Sequence, residues 1–289
     1  MPSVMTTVAL IAGSVVLTSF SAARDLRHDP ATIAGTSYVA PAKARVVRVV
    51  GKDFSFDAPD VIPAGVTEFR FLNKGPSLHH MALLQLSGGK TVDDLRAALA
   101  KPGPMPAWVK EIGGPNAGAP GVESNATVNL EPGNYAIICF VDLGGPPHFV
   151  KGMLKGLRVV PSKTASAPKP KADVTATLFD YGFRLSQPVK AGTRTIRVYN
   201  AGKQHHEVEL VQLAPGSTAA GVLQWMEKME GPPPGKALGG VAGIEAGMSE
   251  SFTADFAKGR YALICFLPDA KDGKPHFAHG MIQEITVAE

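Results

Sequence analysis

The chain has 289 residues, of which 45% are hydrophobic and 19% charged, and its formal net charge is +4. That apolar content excludes a mostly disordered chain, and a mild, scattered positive charge without a Lys/Arg run gives no footprint for nucleic acid. The length suits about two domains, and 31 Gly with 24 Pro exclude a bundle of long helices and favour a turn-rich β architecture.

At the N-terminus, Val8 to Ala22 is apolar and has the length of a signal-peptide core, shorter than the ~20 residues of a membrane span. Ser21-Ala22-Ala23 offers small residues for cleavage before Arg24. Residues 1–23 are therefore expected to be a signal peptide, with an uncleaved anchor as the alternative. The mature protein is then periplasmic or extracellular. Residues 24–44, mixed and Ala-rich, are expected to form a flexible lead.

From there the chain repeats itself with a period of about 127 residues. FSFDAPDVIPAGVTEFRFLNKG from Phe54 corresponds to FRLSQPVKAGTRTIRVYNAG from Phe183, and Asn73-Lys74-Gly75 to Asn200-Ala201-Gly202. A His pair follows in each copy, His79-His80 and His205-His206. GNYAIICFVDLGGPPHFVKGM then matches GRYALICFLPDAKDGKPHFAHGM. The first copy is expected over 45–161 and the second over 173–289. A Pro/Ser/Lys-rich linker joins them over 162–172.

In each copy the elements are strands. Val66–Leu72 and Thr193–Tyr199 alternate polar and apolar residues. Tyr135–Phe140 and Tyr261–Phe266 are short apolar runs, and Leu157–Val160 and Ile282–Val287 close each copy. One helical insert lies between the His-His strand and the Cys strand. In the first copy it is TVDDLRAALA, with Thr91 as cap and Asp94 at N3; in the second it is STAAGVLQWMEKME from Ser217. Strands spaced by turns with one helical excursion predict an all-β fold of two Greek-key β-sandwich domains.

Seven of the eight histidines fall in the His-His and Cys-to-His segments. The ordered sets are His79/His80, Cys139, His148, Met153 and His205/His206, Cys265, His276, Met281. Two imidazoles, a thiolate and a weak thioether are the ligands of a trigonal blue-copper electron-transfer site. A disulfide between the only two cysteines, Cys139 and Cys265, would require equivalent positions in separate sandwiches to meet.

On these residues the chain resembles two tandem cupredoxin (blue copper protein) domains, plastocyanin- and azurin-like. The resemblance implies one type 1 copper per domain. It also implies a first His on a core strand after the Asn-x-Gly turn, with Cys, second His and Met on one loop. The run from Cys139 to His148 and Met153, with Gly152 before the Met, resembles the copper loop of nitrite reductases. The second loop, Cys265 to His276 and Met281, is longer. The Asn that follows the ligand His in the family is absent in both copies, so its hydrogen bond must be replaced.

Strand period bears on which upstream His is the ligand. His206, Val208 and Leu210 share one face, and His205, Glu207 and Glu209 the other, which is expected to face solvent. His80, Ala82, Leu84 and Leu86 form the more apolar face of the first copy. The expected metal ligands are thus His80, Cys139, His148, Met153 and His206, Cys265, His276, Met281. His79 and His205 stay open as alternatives, since Gly202 to His205 matches the plastocyanin spacing. His279 is expected to be an exposed loop residue.

In related oxidases and nitrite reductases the catalytic coppers need a His directly before the loop Cys and a His-x-His pattern. Ile138 and Ile264 stand before the two cysteines, and His-x-His does not occur. The expectation is therefore no enzyme activity, but an exported electron carrier with a redox partner protein. A copper storage or delivery protein with a copper donor or acceptor, and a metal-free scaffold or adhesion protein, are the alternatives. No membrane contact is expected beyond the N-terminal segment. The unequal loops, LGG against DAKDGK, predict two different potentials.

Overall fold

The computed structural model describes residues 44–101, 103–164 and 166–289. The expected signal peptide and nearly all of the expected lead lie outside the described residues. The described residues lie within one compact unit.

The first copy runs β1 (Arg45–Lys52), β2 (Ser55–Asp57), β3 (Val61–Pro63), β4 (Gly65–Asn73), β5 (Ala82–Leu86), α1 (Val92–Leu99), β6 (Val109–Glu111), β7 (Glu123–Leu130), β8 (Gly133–Ile138) and β9 (Leu154–Val160). The second runs β10 (Val174–Phe179), β11 (Gly182–Leu185), β12 (Gly192–Asn200), β13 (His206–Leu213), α2 (Ala219–Lys228), β14 (Gly235–Ile244), β15 (Ser249–Phe256), β16 (Gly259–Ile264) and β17 (Ile282–Val287). The described chain is all-β apart from α1, α2 and one 3₁₀ turn, His276–His279. As the sequence predicts, Thr91 and Asp94 close a reciprocal capping box on α1. α2 is capped by Thr218.

Strands of both copies share one eight-stranded sheet, in the order β11-β10-β12-β15-β7-β4-β1-β2. Its two halves repeat each other: β1 lies parallel to β4 as β10 does to β12. They join where Ser251 pairs with Thr127, and Asn125 bonds both the carbonyl and the N–H of Thr253. A five-stranded sheet, β3-β9-β8-β5-β6, covers the first half, and a four-stranded sheet, β14-β13-β16-β17, the second. Each copy buries its own core between its half of the large sheet and its small sheet. The first centres on Phe69, Phe71, Leu83 and Ile137, the second on Val198, Leu210, Val241 and Tyr261. The alternating patterns of β4 and β12 follow from this, with one face of each strand turned into the core.

The copies also meet along a second seam. The segment after β6 runs antiparallel to β14, with bridges Ile112–Ile244, Pro115–Val241 and Gly118–Leu238. This corrects the expectation for the carboxylate face of β13. Glu207 and Glu209 are only 5% and 4% exposed, because the first copy lies on that face. Asn116 donates to Glu207 and to the Val208 carbonyl, and the Ala117 N–H donates to Glu209. Glu250 is buried on the same seam and accepts the Gly114 N–H. The linker is tied down as well, since the Ser166 hydroxyl accepts the Val66 N–H at 3.0 Å and Ala167 is buried.

Candidate metal centres

Each centre is built from two backbone devices. The first is the Asn-x-Gly turn after β4 and β12. Asn73 is buried, accepts the Gly75 N–H, and donates to the carbonyls of Ser77 and Gly118. Asn200 makes the matching bonds to Gly202, Gln204 and Ile244. These turns set the position of the histidine six residues beyond the Asn, His79 in one copy and His206 in the other. The second device is the loop that follows β8 and β16. The Cys139 N–H donates to the Met153 carbonyl, Phe149 N–H to Cys139, and Met153 N–H to His148. Cys265, Phe277, Met281 and His276 repeat all three bonds. Extra residues in the second loop form a turn closed by Asp269 and Lys274 and leave this frame unchanged.

The result is the same cluster twice. His79 Nδ1 lies 2.9 Å from His148 Nδ1, and Cys139 Sγ 3.6 Å from the same nitrogen. His206 Nδ1 lies 3.1 Å from His276 Nδ1, and Cys265 Sγ 3.3 Å from it. In each group the three donor atoms fall within 4.8 Å of one another, and all six side chains are buried. Met153 and Met281 are fully buried in the same core clusters as Cys139 and Cys265. Both thiols are free.

The first copy corrects the expected ligand. His79, not His80, stands with Cys139 and His148. The strand argument failed because both faces of β5 are buried. Met81 and Leu83 enter the inter-sheet core, while Ala82, Leu84 and Leu86 pack under α1 with Leu95. His80 points elsewhere, its Nε2 accepting the Phe140 N–H at 2.7 Å. Glu207 does the same in the second copy, accepting the Phe266 N–H at 2.9 Å. His205 turns away to Glu111 of the first copy, which raises its pKa through their hydrogen bond. His279 faces Asp272 outside the Cys265 cluster.

Two residues went unnoticed in the sequence. Asp53 Oδ1 lies 2.6 Å from His79 Nε2, and Asp180 Oδ1 2.6 Å from His206 Nε2. A carboxylate only accepts, so each imidazole carries its proton on Nε2 and keeps the Nδ1 lone pair for the pocket. The signal was present: Asp53 and Asp180 stand 127 residues apart, the interval that also separates His79 from His206. Gly75 and Gly202 make room for these pairs. A Cβ on Gly75 would collide with His79 Nε2, and one on Gly202 would stand 2.5 Å from Asp180 Oδ1.

Burial, with the neighbouring histidine second, pushes the His148 and His276 pKa values down to about 4, and burial lowers His79 and His206 against the pull of their aspartates. The imidazoles are therefore neutral near pH 7. Burial pushes the Cys139 thiol up to about 11, and the Cys265 thiol higher still. Neutral nitrogen donors that converge on a buried thiol form a donor set suited to a soft cation. Among the described residues His276 Nε2 has no hydrogen-bond partner, and Asp269 Oδ2 lies 3.9 Å from it. These residues fit a thiophilic metal ion.

The surroundings of the two centres differ. Phe54 packs on His148 with Lys151 over its ring, whereas Tyr181 packs on His276 and donates its hydroxyl to buried Asp269. Hydrogen bonds from Tyr181, then from Gln204 and the Lys271 N–H, hold the Asp269 carboxyl below the ordinary carboxylate range.

No family model and no curated protein matches the chain. Solved structures do. Auracyanin A, a "blue" copper protein from Chloroflexus aurantiacus, is 21% identical, with all of its chain aligned to 41% of this one at a TM-score of 0.30. Reduced auracyanin from Roseiflexus castenholzii is 20% identical, covers 42% of this chain and 99% of its own, and has a TM-score of 0.27. Blue Copper Oxidase from Nitrosomonas europaea is 16% identical and covers 85% of this chain and 86% of its own, with a TM-score of 0.27. The all-β character rests on the chain's own strands. Alignment with oxidases over most of the length overturns the expectation that this is not an enzyme. At these identities and TM-scores the likeness assigns no reaction. Among the described residues no helix is long and apolar enough to cross a membrane.

Proposed function

We propose that each copy holds one type 1 copper ion and that the protein transfers electrons to and from a redox partner protein. The ligands are His79, Cys139, His148 and Met153 in the first copy, and His206, Cys265, His276 and Met281 in the second. The observation that carries this reading is the convergence of two Nδ1 atoms and a thiol within 4.8 Å, in both copies. When bound, copper supplies a one-electron couple, Cu(II)/Cu(I), which imidazole and thiolate ligands satisfy in both states. Asp53 and Asp180 hold the first histidine of each site in the Nδ1-binding tautomer. The backbone bonds among Cys, His and Met fix the loop, so little rearranges when the charge changes.

Electron transfer is favoured over storage or delivery because the donors are sealed. His79, Cys139, Met153, His206, Cys265, His276 and Met281 are fully buried, and ion exchange would require the loop to open. Work in an exported compartment, periplasmic or extracellular, accords with this reading.

Single-site variants test it. Cys139→Ser and Cys265→Ser should each lose one copper and one visible thiolate-to-copper band, leaving the other centre intact. Retention of both bands in either variant contradicts the ligand assignment.

A further inference from the structure

A hydrogen-bonded chain crosses the seam between the copies and ends beside both cysteines. The Phe140 N–H, next to Cys139, donates to His80 Nε2 at 2.7 Å. The imidazole must then carry its proton on Nδ1, which faces Asn116 Oδ1 at 3.4 Å. Asn116 Nδ2 donates to Glu207 Oε2 at 3.2 Å. Glu207 Oε1 accepts the N–H of Phe266, next to Cys265, at 2.9 Å. His80, Asn116 and Glu207 are all buried. Every donor and acceptor role is consistent along the chain, so its members polarise one another in a site of low dielectric.

The arrangement is specific to the seam. His80 and Glu207 follow the first histidine of each centre, so each end of the chain touches its pocket through two covalent neighbours. Asn116 is the one link that the repeat does not duplicate, since Ala242 stands at the corresponding place in β14. A side chain with both an acceptor and a donor is what joins a ring N–H on one side to a carboxyl oxygen on the other.

We propose that His80, Asn116 and Glu207 form the electron path between the two centres. An electron taken up at one copy passes to the other within the molecule. The step is balanced: Cu(I) in one copy becomes Cu(II), Cu(II) in the other becomes Cu(I), and no bond or proton is exchanged. The inference rests on the two-copper reading above.

The experiment uses the copper-loaded full chain. A pulse of reductant supplies less than one electron per molecule, and the redistribution between the two visible bands is followed. Cys139→Ser and Cys265→Ser supply the spectrum of each centre alone. Asn116→Leu removes the middle link, and Asn116→Ala replaces it should the Leu variant fail to fold. The expected result is redistribution slowed by about an order of magnitude with both bands retained. Asn125→Leu, which cuts a separate inter-copy contact in the large sheet, should leave the rate unchanged. An unaltered rate without the Asn116 side chain, equal slowing by Asn125→Leu, or no redistribution in the wild type overturns the proposal. In metal-free protein, a ¹⁵N–¹⁵N coupling between the Phe140 amide and His80 Nε2 checks the bond directly, and its absence also counts against the path. Failure of the two-copper reading would be seen separately, as missing bands before any kinetics.

Discussion

Glu250 provides a quantitative test of the seam between the copies. Its carboxyl is buried, accepts one N–H from Gly114, and has no partner for Oε1 among the described residues. Burial raises its pKa from 4.5 to about 8 in the folded protein. Between those values the folded chain keeps a proton that the unfolded chain has lost. The stability it contributes is therefore complete below the lower value and drains away as pH rises through the upper one. The loss is about 1.4 kcal/mol per pH unit, and at most about 5 kcal/mol across the window. Glu250→Gln removes the titration and retains an acceptor for Gly114. Its buried NH₂ group, left unpaired, costs about 1–3 kcal/mol at every pH. The variant should be less stable than wild type near pH 5 and more stable above about pH 8, so the two curves cross. Urea unfolding of the metal-free protein, followed by tryptophan fluorescence across that range, measures both curves. Parallel curves would refute the enclosed, protonated Glu250 and with it the tight seam.

Three further outcomes follow from the centres. Asp53→Asn or Gly75→Ala should weaken copper binding in the first copy by about 10–100-fold, and Asp180→Asn or Gly202→Ala in the second. Calorimetric titration would show one unchanged and one weakened site per variant. The histidines are neutral and the thiols protonated near pH 7, so each copper bound should release about one proton, from Cys139 or Cys265. A pH-stat titration giving no proton release would contradict this. The buried Asp269 carboxylate lies beside the second centre, whereas Lys151 lies near the first. The second centre should thus have the lower reduction potential, and Asp269→Asn should raise it, as voltammetry of each single-site variant would show.

The all-β character and the grouping of Cys139 with His148 and of Cys265 with His276 were legible in the sequence because each depends on local pattern and spacing. Asn73 and Asn200 brace their turns as their side-chain chemistry suggests. What stayed hidden depends on how one copy covers the other. β13 carries Glu207 and Glu209 as a solvent-facing strand would, yet Asn116 and the Ala117 N–H of the first copy satisfy and enclose them. In β5 both faces are apolar because one meets the opposite sheet and the other meets α1, so polarity could not choose between His79 and His80. Counting six residues from each Asn would have chosen, because the turn, and not polarity, sets the register of the histidine. That His80 and Glu207, each next to a candidate ligand, bind the Phe140 and Phe266 amides emerges only from the structure.

The most direct measurement is copper content together with the visible spectrum of the purified, copper-loaded chain. Two copper ions per molecule, with an intense thiolate-to-copper charge-transfer band that bleaches on reduction, is the predicted result. Protein that retains no copper, or binds it without that band, would contradict the account.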